Sequence, residues 1–171
     1  MDIGGQLAWH LQLALPAMAA NGAPVVAARY LRKTHPIDFG LLFLDRRRIL
    51  GDGKTWEGFT SGLMAGLIVS SLIVAVRGDA LFLLIGLISS LGALIGDMAG
   101  SFVKRRLGIE RGKPAPLLDQ LDFYAGSIAL LYLAGIEIYL IPSIILAGVI
   151  FVLHIGTNYL AYKLGLKSVP W

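Results

Sequence analysis

The sequence predicts an all-α integral membrane protein with five transmembrane helices, and three observations predict it. Hydrophobic residues make up 56% of the 171 and charged residues only 15%, with a mean hydropathy of +0.72; a soluble domain carries about 25% charge. Five apolar stretches, at about 7–31, 60–76, 80–98, 123–140 and 142–162, each approach the ~20 residues that a spanning helix needs. The charges fall between these stretches and not along one face of them, which is the pattern of a bilayer-embedded chain rather than of amphipathic helices.

The first stretch, "ALPAMAANGAPVVAARY", lacks a basic start and is long, so it reads as a span and not as a removable signal peptide. Pro16, Asn21, Gly22 and Pro24 interrupt it. Two readings stay open there: a helix broken beside a wet cavity, with Asn21 facing it, or a simple proline kink. The second and third stretches are joined by residues 77–79, and the fourth and fifth by a tight turn near Tyr139–Pro142. The other two connectors, about 32–59 and 99–122, are long and rich in charge, glycine and proline. Placing the N-terminus outside and the C-terminus in the cytoplasm puts all fifteen Lys and Arg residues except Arg77 on the inner side. The two long loops are then cytoplasmic, and long loops in a compact protein carry function. A single membrane domain over 1–171 follows, multi-pass in the cell membrane, with its active site at the cytoplasmic face.

Composition also removes several chemistries. No cysteine is present, so neither a disulfide framework nor a thiolate metal site can form. His10, His35 and His154 are too scattered for zinc. A net charge of +4 and a pI near 9.5 reflect topology, not nucleic-acid binding, because the basic residues are confined to the connectors between apolar runs.

The first long loop ends in "GDGKTWEG", residues 51–58. A nucleotide-binding Walker loop would need a glycine where Arg48 stands and a strand before it. What remains is glycines that permit close backbone approach, the Lys54 charge, and a helix N-terminus that favours anions. On its own this is equally a phosphate-contacting loop or a plain glycine-rich connector. Trp56 reads as an interfacial anchor or a base-stacking ring, and Glu57 as a helix-start acid.

The second loop carries the sharper signal. Asp97 ends the third apolar stretch, where a carboxylate at mid-bilayer depth would cost about 2.5–3.5 kcal/mol and less near the interface. Asp119 and Asp122 are spaced to share one helix face at the start of the fourth. Either acid could simply cap that helix. Two on one face plus Asp97 on a neighbouring span point instead to a hard-cation site, such as Mg²⁺ held with phosphate oxygens. Lys104, Arg105, Arg106, Arg111 and Lys113 stand among these acids and suit a polyphosphate. With no Ser-His-Asp set and no cysteine, the fitting reaction is one whose nucleophile is already anionic.

Gly96-Asp97, Ser101, Lys104-Arg105, Lys113 and Asp119-x-x-Asp122 follow, in order, the signature of the CDP-diacylglycerol synthases. The whole chain resembles still more the archaeal CDP-archaeol synthase family, through "NGAP" at 21–24, "HPID" at 35–38, "GDGKTWEG" at 51–58 and the segment 96–122. It departs from the bacterial type in having "KPAPLL" where that type has Gly-His-Gly-Gly, and Gln120 where it has Arg. The resemblance implies transfer of CMP from CTP to 2,3-bis-O-(geranylgeranyl)-sn-glycerol 1-phosphate, a lipid phosphate with two isoprenoid chains, releasing pyrophosphate. It implies Mg²⁺ as cofactor, with Asp97, Asp119 and Asp122 as its ligands. Lys104 and Lys113 join the three acids in catalysis, and Gly53, Lys54, Thr55, Ser101 and Arg105 bind the nucleotide. Two other readings compete. An enzyme that consumes CDP-lipids would carry Asp-Gly-x-x-Ala-Arg, whereas Asp52-Gly53 is followed by Lys-Thr-Trp-Glu. A small transporter or scaffold would place its ionisable residues near the midplane or need none of these acids.

Overall fold

The computed structural model describes residues 1–31 and 33–170; Arg32, one of the basic residues expected on the inner side, lies outside them. The described residues form five helices: α1 (Ile3–Tyr30), α2 (Trp56–Arg77), α3 (Leu81–Arg106), α4 (Leu118–Leu133) and α5 (Leu140–Lys163). Each predicted apolar stretch corresponds to one helix, and no strand is present among the described residues, only isolated bridges Pro36–Thr55 and Leu42–Arg48. Four helices, α1, α2, α3 and α5, are long and apolar enough to cross a membrane.

The fourth helix differs from its expected extent. It starts earlier, at Leu118, and stops at Leu133 after 16 residues, a rise of about 24 Å at 1.5 Å per residue. Gly135 ends it in the left-handed conformation (φ 79°), where Gly135 N–H donates to Tyr132 O and Ile136 N–H to Leu131 O, both at 3.0 Å. These are the paired closing bonds of a Schellman motif, and glycine is the residue that adopts that φ without a Cβ clash. The apolar residues beyond it are not helical. Ile136 and Ile138 pack from an extended connector onto the cluster of Leu13, Ile73, Phe82, Ile85 and Leu131. Trp9 Nε1 donates to Glu137 O (2.9 Å) and Tyr139 N–H to His10 Nε2 (2.8 Å), fastening the connector to α1. The tight turn expected near Tyr139–Pro142 is instead a longer connector, residues 134–139, that begins earlier in the chain. Pro142 sits buried in the first turn of α5, where its missing N–H costs no helical bond.

The first helix runs unbroken through Asn21, Gly22 and Pro24. Pro16 is buried in its middle, beside Gly66 of α2 and Gly86 of α3. At the same level Ser90 fills the notch above Gly66 and Ser70 the notch above Gly86, each hydroxyl donating to a carbonyl of its own helix. Ser89 Oγ donates to Leu13 O (2.7 Å) and lies 3.0 Å from Ser127 Oγ, joining α1, α3 and α4. Such interhelical bonds contribute about 0.6 kcal/mol each, so close packing of small residues does most of the holding. On the outside, Ile68, Leu72 and Val76 of α2 recur every fourth residue at 59%, 62% and 86% exposure. A face that apolar and that open is suited to acyl chains.

The closest approach is between α3 and α4. A Cβ on Gly92 would meet Gly126 O and Ser127 Cα at 2.7 Å, and one on Gly96 would overlap Asp122 O and stand 3.0 Å from Gly126 Cα. Backbone thus lies on backbone, and the acids of α4 are set against α3 in a fixed register.

Candidate active site

The first long loop is built by pairing its two sequence motifs. Ile37 N–H donates to Lys54 O (2.8 Å), Trp56 N–H to His35 O (3.0 Å) and His35 N–H to Glu57 Oε2 (2.8 Å). Buried Asp38 closes the far end, its carboxylate accepting from the backbone N–H groups of Leu50 and Gly51 (both 2.9 Å) and Gly40 (3.2 Å) and pairing with Arg48 at 2.6 Å. Burial alone would raise the Asp38 carboxyl. The Arg48 guanidinium and the Gly51, Leu50 and Gly40 amides outweigh it and hold the group well below the usual carboxylate range. Asp38 therefore shapes the Gly51–Lys54 turn through hydrogen-bond partners, Gly40, Arg48, Leu50 and Gly51, that do not line the cavity. Thr55 caps α2, its Oγ1 accepting from Gly58 N–H at 3.1 Å.

The second segment is more helical than expected. Only residues 107–117 separate α3 from α4, so Asp97, Ser101, Lys104 and Arg105 lie on a helix and Asp119 and Asp122 in the first two turns of the next. Asp97, Ser101 and Lys104 share a face by their spacing. Lys54 Nζ pairs with Asp97 Oδ2, tying the first loop to α3. Lys104 Nζ pairs with Asp119 Oδ1 at 2.7 Å, and Asp119 Oδ2 accepts from Ala115 N–H at 2.7 Å, tying α3 to the start of α4. All four charged side chains are partly shielded, 15–28% exposed, so each pair holds its members in place more firmly than an exposed surface pair would.

These groups line one cavity of about 590 Å³. Of the residues singled out in the sequence, Gly53, Lys54, Thr55, Asp97, Lys104, Lys113 and Asp119 line it, as do Arg111 and Asn21. Lys113 also pairs with Glu110 at 3.2 Å on the exposed rim. Ser101, Arg105 and Asp122 are not in the lining. Arg105 instead lies against Gly51, and Asp122 is tucked over Gly100 of α3, its carboxylate accepting from Phe123 N–H at 2.6 Å. Trp56 also stays out, packing edge-on to Phe59 at 6.2 Å. Sequence reasoning missed the opposite wall: His154, Thr157 and Asn158 of α5 and the segment Leu166–Val169 after it. The signal for that wall was slight, a Gly and a Lys just beyond the last apolar stretch.

Among the described residues no three of His, Asp and Glu stand close enough to cage a metal ion by themselves. Asp97 and Asp119 nonetheless present hard carboxylate oxygens to the cavity, and Asp122 lies within electrostatic reach of both. That donor set fits a cation such as Mg²⁺, which keeps most of its ligands as water and phosphate oxygens and takes one or two carboxylates from protein. Apolar groups complete the lining, with Met18 and Val25 of α1, Leu94 of α3 and Ile150 and Leu153 of α5. One space therefore offers cations, acids and hydrocarbon together.

Known proteins are similar to this chain over most of its length. A CDP-archaeol synthase of Hyperthermus butylicus is 47% identical over 159 residues, covering 92% of each chain. The CDP-archaeol synthase of Aeropyrum pernix is 50% identical over 159 residues, 93% of this chain and 89% of its own. A solved structure described as an intramembrane enzyme for archaeal membrane lipids biosynthesis is similar with a TM-score of 0.81 at 47% identity, covering 87% of this chain and 92% of that one. The model of the CarS-like, CDP-archaeol synthase family matches residues 6–171, and the chain belongs to that family.

Proposed function

We propose that this protein is a lipid cytidylyltransferase that transfers CMP from CTP to 2,3-bis-O-(geranylgeranyl)-sn-glycerol 1-phosphate, with Mg²⁺ as cofactor. It works from five spans in the cell membrane, with the N-terminus outside and the cavity opening to the cytoplasm. The observation that carries this reading is the continuity of one cavity. Lys54, Lys104 and Arg111 face the same space as Met18, Ile150 and Leu153, which is what a substrate with a phosphate head and long apolar chains requires. Family membership and the names of the relatives support the same assignment.

The chemistry needs little beyond position and charge. An oxygen of the lipid phosphate attacks the α-phosphorus of CTP and forms the new P–O bond. The bond from the α-phosphorus to the oxygen bridging to the β-phosphorus breaks, and its electron pair leaves with pyrophosphate. The nucleophile is already an anion, so no general base is called for. Lys54, Lys104 and Arg111 neutralise phosphate oxygens as charge shifts to the leaving group. Asp97 and Asp119 orient the two lysines, since each accepts directly from one ammonium. The same carboxylates, with Asp122 behind them, would hold Mg²⁺, which supplies further neutralisation of the phosphates.

The test is a turnover assay with the purified protein in lipid nanodiscs, labelled CTP, the lipid phosphate and Mg²⁺. CDP-lipid and pyrophosphate should appear in equal amounts, chelation should stop the reaction, and added Mg²⁺ should restore it. Release of CMP in place of pyrophosphate would assign a CDP-alcohol phosphotransferase instead. Absence of any Mg²⁺-dependent affinity for CTP would assign a transporter or scaffold.

A further inference from the structure

The wall of the cavity that no sequence motif marked is made by the end of the chain. Helix α5 finishes at Lys163, and Gly165 follows in the left-handed conformation (φ 70°). Gly165 N–H donates to Tyr162 O (3.0 Å) and Leu166 N–H to Ala161 O (2.8 Å), a second Schellman closure. Lys167 N–H also reaches Ala161 O at 3.3 Å, so the reversal is held for two residues past the glycine. The chain is thereby turned off the helix axis, and Leu166, Lys167, Ser168 and Val169 are laid along the cavity.

Lys167 is the charged member of that strip. It is half-buried, within electrostatic reach of Asp119, Lys104 and Lys54. Burial pushes its ammonium below the usual lysine range, Asp119 opposes that, and Lys104 and Lys54 add to the lowering. Like charges gathered out of water repel one another and lose hydration. Lys104 already shares Asp119, and Lys54 shares Asp97. Lys113 also lines the space, and a further ammonium brought there from a separate segment suits a ligand with several negative oxygens that these lysines can share.

We infer that Lys167 is a phosphate-binding residue of the active site, carried into place by the Gly165 reversal, and that residues 166–169 form the wall against which the substrate phosphates rest. This rests on the cytidylyltransferase reading and adds to it a residue from a segment that neither signature loop contains. Both substrates bring phosphate, so the experiment must separate the nucleotide's triphosphate from the lipid's monoester.

The variants are Lys167→Met, which keeps the length and apolar stem, and Lys167→Arg, which keeps the charge. Inorganic tripolyphosphate binding to protein in nanodiscs, measured by calorimetry with Mg²⁺, should weaken about tenfold in Lys167→Met, the size of one charge-assisted hydrogen bond. Lys167→Arg should stay within about threefold of the parent, and neither variant should change the thermal midpoint. In turnover, a raised KM for CTP alone places Lys167 on the nucleotide, and a raised KM for the lipid phosphate alone places it on the acceptor; either supports the assignment. Unchanged tripolyphosphate affinity and unchanged KM values in Lys167→Met overturn it while leaving the cytidylyltransferase intact. A loss that follows a lowered thermal midpoint and that arginine does not rescue also overturns it, in favour of a structural role. A parent protein that binds neither CTP nor tripolyphosphate overturns both readings together.

Discussion

On the α3–α4 side of the cavity, Gly92 and Gly96 meet the backbone of α4 at Asp122, Gly126 and Ser127, and Gly100 meets the Asp122 side chain, whereas Gly148 and Gly156 on α5 have nothing within 4 Å of where a Cβ would stand. The same residue type does opposite work on the two walls. In the first it removes side chains so that two helices touch, which fixes Asp97, Lys104, Asp119 and Asp122 relative to one another. In the second it leaves room. Helix α5 packs only on α1 and α4, and its exposed face includes Val149, Val152, Leu153 and Ile155. The closely packed polar floor serves accurate placement of phosphate, and the open stretch of α5 around Ile150 and Leu153 serves space for chains, the two demands of a lipid-phosphate substrate.

The sharpest way to break this comparison is Gly96→Ala. The added methyl would overlap the Asp122 carbonyl and press on Gly126 Cα, and neither atom is the movable end of a side chain. The helices must separate, at a cost of about 3 kcal/mol, the upper end for overpacking. Thermal unfolding in detergent should show the loss, and turnover should fall below detection because Asp119 and Asp122 of α4 part from Asp97 and Lys104 of α3. Retention of both would mean that the α3–α4 contact is not what positions the site. A smaller effect is expected at Gly100. Its Cβ would overlap the Asp122 carboxylate, 2.8 Å from Cγ, but that group is free to rotate away. Gly100→Ala should therefore spare stability to within about 1 kcal/mol while turnover falls about tenfold, close to one lost electrostatic contact. Equal loss in both properties would place Asp122 in a structural role only.

Most of the floor was legible in the sequence, and most of the far wall was not. Runs of apolar residues near 20 long locate helices because a bilayer tolerates little else, and the Gly96-Asp97 to Asp122 segment announces charged chemistry at helix ends. The extent of α4 was hidden because Ile136 and Ile138 are as apolar in an extended connector as they would be in a span; Gly135 was the stop signal, and a glycine inside an apolar stretch reads both ways. Asp38 was hidden for another reason. Its role depends on backbone N–H groups at Leu50 and Gly51, twelve and thirteen residues away, and no side-chain pattern records them. The division of the three acids, two on the cavity and one packed between α4 and α3, turns on which way a helix faces its neighbour, and spacing along the chain says only that Asp119 and Asp122 share a face. Lys167 follows the last apolar stretch as any inner-side lysine would, and only the Gly165 reversal distinguishes it.

The smallest effect sharpens the comparison from the other side. Gly156 sits in the interior of α5, where glycine costs about 0.5–1 kcal/mol relative to alanine because it loses more backbone freedom on folding. At Gly96 that same saving is swamped by the collision; at Gly156 no atom stands within 4 Å to collide with. Gly156→Ala should thus raise the thermal midpoint slightly, by an amount set by helix propensity alone, and leave KM for CTP unchanged, since the added methyl meets nothing that could displace a phosphate-binding side chain. If alanine there lowers stability as it does at Gly96, then α5 is seated more tightly than its open glycines indicate, and the space for lipid chains must lie against a different helix.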